Sequence, residues 1–225
     1  MEKYAIIVAG GTGSRLGDDI PKQFLLLAGK PLLMYSIEAF YEYDPLIHII
    51  VALHPDFTSN WAQLCKKFSF PVIHQTVPGG KTRFHSVRNA LSTIQGEGLV
   101  AVHDAARPVL PVNLISKTFN EAILHGNAIP GIPLNETVRM IENGKISLVD
   151  RTTLRIIQTP QTFDLGLLKK AYEQDYRPEF TDDASLLEAM GKEIHLIPGD
   201  PRNIKITIPG DIRIAELFMI QHGLY

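Results

Sequence analysis

The chain is short of cysteine, of surplus charge and of long apolar runs. Cys65 is the only cysteine in 225 residues, which excludes an intrachain disulfide framework and any zinc site built from several cysteines. Lys and Arg number 22 against 24 Asp and Glu, a net charge of −2. That balance argues against broad nonspecific binding of nucleic acid, although it allows a local cationic pocket. The opening run Tyr4-Ala5-Ile6-Ile7-Val8 reaches glycines too soon for a signal-peptide core or a membrane span. The expectation is a cytoplasmic protein with neither a membrane nor a nucleic acid as partner.

Hydrophobic residues make up 45% and charged residues 20%, a globular composition that excludes a disordered or fibrous chain. The length suits one domain over 1–225, large enough to bury a core without staples.

Short β-rich runs alternate with helical patterns through the first half. Strands are expected at Ala5–Val8, Ile47–Leu53, Val72–Gln75 and Leu99–His103. Helices are expected at Leu32–Tyr43, Thr58–Phe68, Phe84–Ile94 and Val112–His125. Apolar strands between helices predict an α/β fold, a mostly parallel sheet covered on both faces. The pattern changes after Asn127–Ile132. Glu136–Glu142 and Lys145–Asp150 flank Asn143-Gly144, a hairpin signal, because both turn positions of a type I′ turn need positive φ. This predicts a projecting β-arm at about 134–153. Beyond it, strands are expected at Arg155–Gln158, Glu193–Ile197 and Ile204–Ile208, and helices at Leu165–Gln174, Asp183–Met190 and Asp211–His222.

The first strand runs into Ala9-Gly10-Gly11-Thr12-Gly13-Ser14-Arg15, and Pro21-Lys22-Gln23 follows. Glycines permit tight turns and let backbone N–H groups approach phosphate oxygens. Arg15 and Lys22 bring two cations to the carboxyl edge of that strand, where open α/β sheets bind ligands. The dinucleotide fingerprint is not met, because the third glycine position is Leu16. Gly79-Gly80-Lys81-Thr82 ends like a P-loop, but Gln75 stands where its first glycine belongs. No nucleophile elbow of the Gly-x-Ser-x-Gly type occurs.

Leu99–His103 ends in Asp104-Ala105-Ala106-Arg107-Pro108. A carboxylate just past a buried strand can hold Mg²⁺, which favours oxygen ligands shared with substrate phosphates; an ion pair with Arg107 or a cap is the bland alternative. His103 reads as a packed residue. Later, Thr181 precedes a helix and could be its N-cap, and Lys205 could be a solvated strand-end charge.

Taken in order, these stretches, with Thr159-Pro160-Gln161, Thr181-Asp182-Asp183-Ala184-Ser185 and Asn203-Ile204-Lys205-Ile206-Thr207, closely resemble the 2-C-methyl-D-erythritol 4-phosphate cytidylyltransferases of isoprenoid precursor biosynthesis. The resemblance runs from residue 5 to about 216 and implies a Rossmann-like nucleotidyltransferase fold. It implies catalytic roles for Arg15, Lys22 and Lys205 on CTP phosphates. Ala9, Gly10, Gly11, Thr12, Gly13, Gly80, Lys81, Arg83 and Ser86 would line the CTP pocket, and Asp104 would touch CTP and bind Mg²⁺. Arg107, Thr181 and Thr159 would face the sugar phosphate. Thr137 and Arg151 would reach the partner's acceptor site across a homodimer formed through the arm. Many relatives carry an acid where this chain has Lys81, so a base contact by that side chain does not transfer.

In such a reaction the acceptor's phosphate oxygen attacks the α-phosphorus of CTP and pyrophosphate leaves. The obstacle is repulsion between anions, which a metal and fixed cations relieve. No general base is needed, because a phosphate is already ionised at neutral pH. Three rivals stand beside this reading: the same transfer to ribitol 5-phosphate, a nucleotide-binding module without turnover, and an oxidoreductase, which the glycine spacing disfavours.

Overall fold

Strand β1 (Lys3–Ala9) is apolar on both faces, and both faces are covered. Ala5, Ile7 and Ala9 pack into one core cluster, and Tyr4 and Ile6 into another. The period of two along a strand dictates that split. Each fully buried Ile contributes roughly 1.5–3 kcal/mol, so β1 must lie at the centre of a sheet.

The computed structural model describes residues 1–11 and 21–220. After β1 come a short ribbon of β2 (Leu26–Leu27) and β3 (Lys30–Pro31), helix α1 (Leu32–Tyr43), β4 (His48–Leu53), α2 (Thr58–Lys67) and β5 (Gln75–Pro78). Next are α3 (Arg83–Thr93), β6 (Leu99–Asp104), α4 (Val112–His125), β7 (Asn127–Pro133), β8 (Arg139–Glu142) and β9 (Lys145–Leu148). The remainder is β10 (Arg155–Ile157), β11 (Gln161–Asp164), α5 (Leu165–Ala171), α6 (Ala184–Ala189), β12 (Leu196–Pro198) and α7 (Gly210–Ile220).

The main sheet has the order β10-β7-β11-β6-β1-β4-β5, with β12 also paired to β7. Strands β6, β1, β4 and β5 are mutually parallel, whereas β11 runs antiparallel to both β6 and β7. Residues of α1, α2 and α4 pack on one face, and residues of α3, α5 and α6 on the other. The chain steps from β1 to β4 to β5, then returns through α3 to β6 on the far side of β1. That reversal opens a crevice between the carboxyl ends of β1 and β6, the usual ligand position in such sheets.

The expected hairpin forms as β8 and β9, with Asn143 and Gly144 at φ of 49° and 76°. Other expected strands need correction, and one strand was not foreseen. The strand sought at Val72–Gln75 lies at Gln75–Pro78, because pairing with β4 begins at Ile50–Gln75; Ile73 is exposed and breaks the alternation. Ile204–Ile208 forms no strand. Its tie to the neighbouring loop is the Ile206 N–H donating to the Ala106 carbonyl at 2.8 Å. Strand β11 escaped the pattern, since Gln161 and Thr162 are buried polar residues in the sheet interior.

Candidate active site

The crevice holds a cavity of about 280 Å³ whose walls include Ala9, Gly10, Gly11, Lys22, Gly80, Lys81, Arg83, Ser86, Asp104 and Lys205. Its floor is made by glycines in close approach. A Cβ on Gly10 would stand 2.8 Å from Ser86 Oγ, and one on Gly80 only 2.3 Å from the Cβ of His85. Ser86 Oγ accepts from the Gly80 N–H and donates to the Thr82 carbonyl, both at 3.0 Å. Buried Gln23 donates to the carbonyls of Ala9, at 2.8 Å, and Gly11, at 3.2 Å. One side chain therefore fixes the shape of the glycine turn and places its neighbour Lys22 on the cavity wall.

Asp104 ends β6 and gathers the charges. Its Oδ1 accepts from Arg83 Nε at 3.0 Å and its Oδ2 from Lys205 Nζ at 2.7 Å. Burial opposes ionisation, but the charges of Arg83 and Lys205 outweigh it and hold the carboxyl well below the usual carboxylate range. Arg83 also donates to Asp183 Oδ2 at 2.6 Å, and Asp183 Oδ1 accepts from the Tyr172 hydroxyl at 2.5 Å. Burial opposes the Arg83 charge, yet Asp183 and Asp104 raise its pKa well above the ordinary value. The guanidinium is thus a fixed bridge between a buried acid and the acid of the cavity. Gln161 completes the support: its Oε1 accepts from the N–H groups of Asp183 and Ala184, and its Nε2 donates to Asp182.

A second chain of bonds runs behind Asp104. The Asp104 N–H donates to Thr159 Oγ1 at 3.0 Å. Burial pushes the His103 pKa down to about 4, so the ring is neutral at pH 7. His103 Nε2 lies 3.1 Å from the Arg107 carbonyl, which can only accept, so Nε2 carries the proton. Nδ1 then accepts from the Thr159 hydroxyl at 3.1 Å. Both ring nitrogens are consumed, and His103 is a packing and positioning residue, in line with its sequence reading.

The candidate residues divide accordingly. Among the described ones, Ala9, Gly10, Gly11, Lys22, Gly80, Lys81, Arg83, Ser86, Asp104 and Lys205 converge on the cavity. Thr12, Gly13 and Arg15 lie outside the described residues. Thr159 supports Asp104 from behind. Arg107 is no cavity wall: it is buried, Nη1 donates to the Asn203 carbonyl at 2.7 Å and Nη2 to that of Ile157 at 3.4 Å. It clamps the peptide that delivers Lys205, and its Nε has no partner. Thr181 is exposed and does not cap α6, whose N-cap position is Asp183. Thr137 and Arg151 are exposed at the base of the arm, where Arg151 donates to the Asn135 carbonyl. Asp200, a conceivable second metal acid, is bound to its neighbour Arg202. The sequence reading missed the supporting roles of Gln23, Tyr172, Gln161 and Asp183. Gln23, Gln161 and Asp183 were signalled only by membership of the motifs around Lys22, Thr159 and Thr181, and Tyr172 by none.

Comparison with known proteins gives concordant matches. The family described as 2-C-methyl-D-erythritol 4-phosphate cytidylyltransferase matches residues 4–221. The protein of that name from Phocaeicola vulgatus is 47% identical over 219 residues, covering 97% of this chain and 100% of the relative. That from Bacteroides thetaiotaomicron is 45% identical with the same coverage. Among solved structures, the 4-diphosphocytidyl-2C-methyl-D-erythritol synthase of Anaerococcus prevotii superposes with a TM-score of 0.83 at 25% identity, over 97% of this chain and 96% of that one. The 2-C-methyl-D-erythritol 4-phosphate cytidylyltransferase of Thermus thermophilus gives 0.77 at 30% identity, over 97% and 98%.

Proposed function

Since the chain belongs to the 2-C-methyl-D-erythritol 4-phosphate cytidylyltransferase family, with its Rossmann-like nucleotidyltransferase fold, we propose that it transfers CMP from CTP to that polyol phosphate and releases pyrophosphate. The observation that carries this reading is the meeting of Lys22, Lys205 and Asp104 on one glycine-floored cavity. Ala9, Gly10, Gly80 and Ser86 form the surface on which the nucleoside lies. Lys81 lines it from an exposed position, where a side-chain base contact is not required.

The donor set suits Mg²⁺. Asp104 is an ionised carboxylate facing the cavity, and both of its partners are cations. With Lys205 drawn to a triphosphate, Asp104 Oδ2 would be free to hold a hard ion that prefers oxygen ligands. Among the described residues lining the cavity Asp104 is the only acid. Bound there, the ion would neutralise phosphate charge. Lys22 and Lys205 on the cavity wall, with Arg15 of the same glycine-rich segment, serve the same end, lowering the repulsion that the incoming phosphate meets. A base is superfluous, and the neutral, doubly bonded His103 is unfit to act as one.

The acceptor's phosphate is held near Lys205, with Arg107 clamping the peptide that carries this lysine and Thr159 supporting Asp104 from behind; Thr181 would reach the acceptor from outside the described cavity lining. Thr137 and Arg151 have no place in their own chain's cavity. The arm exposes Met140, Ile141, Ile146 and Leu148, apolar surface that suits a homodimer in which those two residues serve the partner's acceptor. The reading keeps 1–225 as one domain with an arm at about 134–153. Among the described residues no helix is long and apolar enough to cross a membrane; the reading remains a cytoplasmic enzyme.

Incubation with CTP, Mg²⁺ and either 2-C-methyl-D-erythritol 4-phosphate or ribitol 5-phosphate tests the reading. Faster pyrophosphate release with the first is expected. Faster release with the second, or CTP binding without product from either, would overturn it.

A further inference from the structure

Helix α4 ends at His125, and Gly126 in the left-handed region turns the chain into β7. One turn before the end stands Glu121, four residues from His125 and on the same helix face. His195, just ahead of β12, comes in beside them. Glu121 Oε2 is 3.4 Å from His125 Nε2 and 3.1 Å from His195 Nε2. The two imidazoles stack, with ring centroids 3.7 Å apart and planes at 17°. All three potential ligand atoms lie within 4.8 Å of one another.

We propose that Glu121, His125 and His195 form a binding site for a divalent ion of the zinc class, separate from the reaction cavity. Metal–ligand bonds of about 2.0–2.1 Å at tetrahedral angles put ligand atoms roughly 3.3 Å apart. Two of the three edges already have that length. Two imidazoles and one carboxylate suit a borderline ion such as Zn²⁺ far better than Mg²⁺, which takes oxygen. The ligands are partly exposed, at 34–45% of their side-chain surface, so an ion can enter and water can complete the shell.

The backbone holding His195 is fixed in advance. Its N–H donates to the Oδ1 of buried Asn127 at 2.7 Å, and its carbonyl accepts from the Ile129 N–H at 2.9 Å. Gly126, next to His125, accepts from the Asp164 N–H, and Asp164 pairs with Leu99 at the amino end of β6. The site therefore sits at the opposite end of the sheet from Asp104. A bound ion would tie the end of α4 to β7 and β12, adding stability without entering the chemistry.

The test uses the whole chain, stripped with EDTA and kept in excess Mg²⁺ so that the Asp104 cavity is not the zinc sink. Zinc chloride titration should show one ion per chain in the wild type, and binding weaker by at least about tenfold in His125→Gln and in His195→Gln. Zinc should raise the wild-type melting temperature by about 5 °C or more at saturation and raise that of each variant clearly less at the same zinc concentration. Cytidylyl transfer in Mg²⁺ should be the same in all three, and their metal-free melting temperatures should agree. Equal zinc affinity in the wild type and both variants, or no stoichiometric binding, would overturn the proposal.

Discussion

Lys205 reaches Asp104 across 101 residues of sequence, its Nζ donating to Oδ2 at 2.7 Å. The lysine side chain is 49% exposed while the aspartate's is 13%. The acid is therefore fixed and the cation is free to exchange its partner for a phosphate.

Removing either member should damage chemistry more than folding. In Asp104→Ala the bridge from Arg83 to Asp183 survives, so urea unfolding should shift by less than the roughly 3–5 kcal/mol that stranding one member of a buried pair costs. Turnover should fall by roughly 10²–10³ in Lys205→Ala and at least as far in Asp104→Ala. Steady-state pyrophosphate release checks this; wild-type rates in Asp104→Ala would refute its role.

Arg83 should behave in the opposite way. Asp183 is fully buried, with Arg83 and Tyr172 as its side-chain partners. Truncation to Met strands that acid, and loss of one member of a buried pair costs about 3–5 kcal/mol. Urea denaturation of Arg83→Met measures it directly. An unchanged midpoint would mean that the bridge does not stabilise the fold.

His103 sets a pH dependence of stability. Its pKa falls from 6.5 to about 4 through burial, so between those values the unfolded chain binds the extra proton. Stability is complete above pH 6.5 and declines as the pH falls toward 4, by roughly 2 kcal/mol between pH 7 and pH 5. In His103→Gln that part of the slope should vanish. Parallel curves for the two proteins would show that another group titrates.

The arm predicts complementation between subunits. Arg151→Ala should raise the KM for the acceptor more than that for CTP, because Arg151 lies outside its own cavity. Mixed dimers of Arg151→Ala with Lys22→Ala should recover part of the lost turnover. Absence of recovery in heterodimers shown to form by mass spectrometry would exclude shared sites.

Much of this was legible in the chain itself. Alternating apolar faces in Tyr4–Ala9 and Leu99–Val102 require a sheet covered on both sides, and Asn143-Gly144 requires a turn, because both follow from local sterics and short-range periodicity. Glycines beside Lys22 announced an anion site for the same local reason. What sequence could not determine were the partners of polar groups. Gln161 reads as a loop residue, yet it lies in a buried strand because Asp182, Asp183 and Ala184 satisfy it from another element. Arg107 resembles a substrate ligand, yet its guanidinium is spent on carbonyls of Asn203 and Ile157. A buried polar atom must find a mate wherever the fold supplies one, and that choice spans a hundred residues, beyond any local pattern. Tertiary structure alone decided which charges face the cavity and which hold it open.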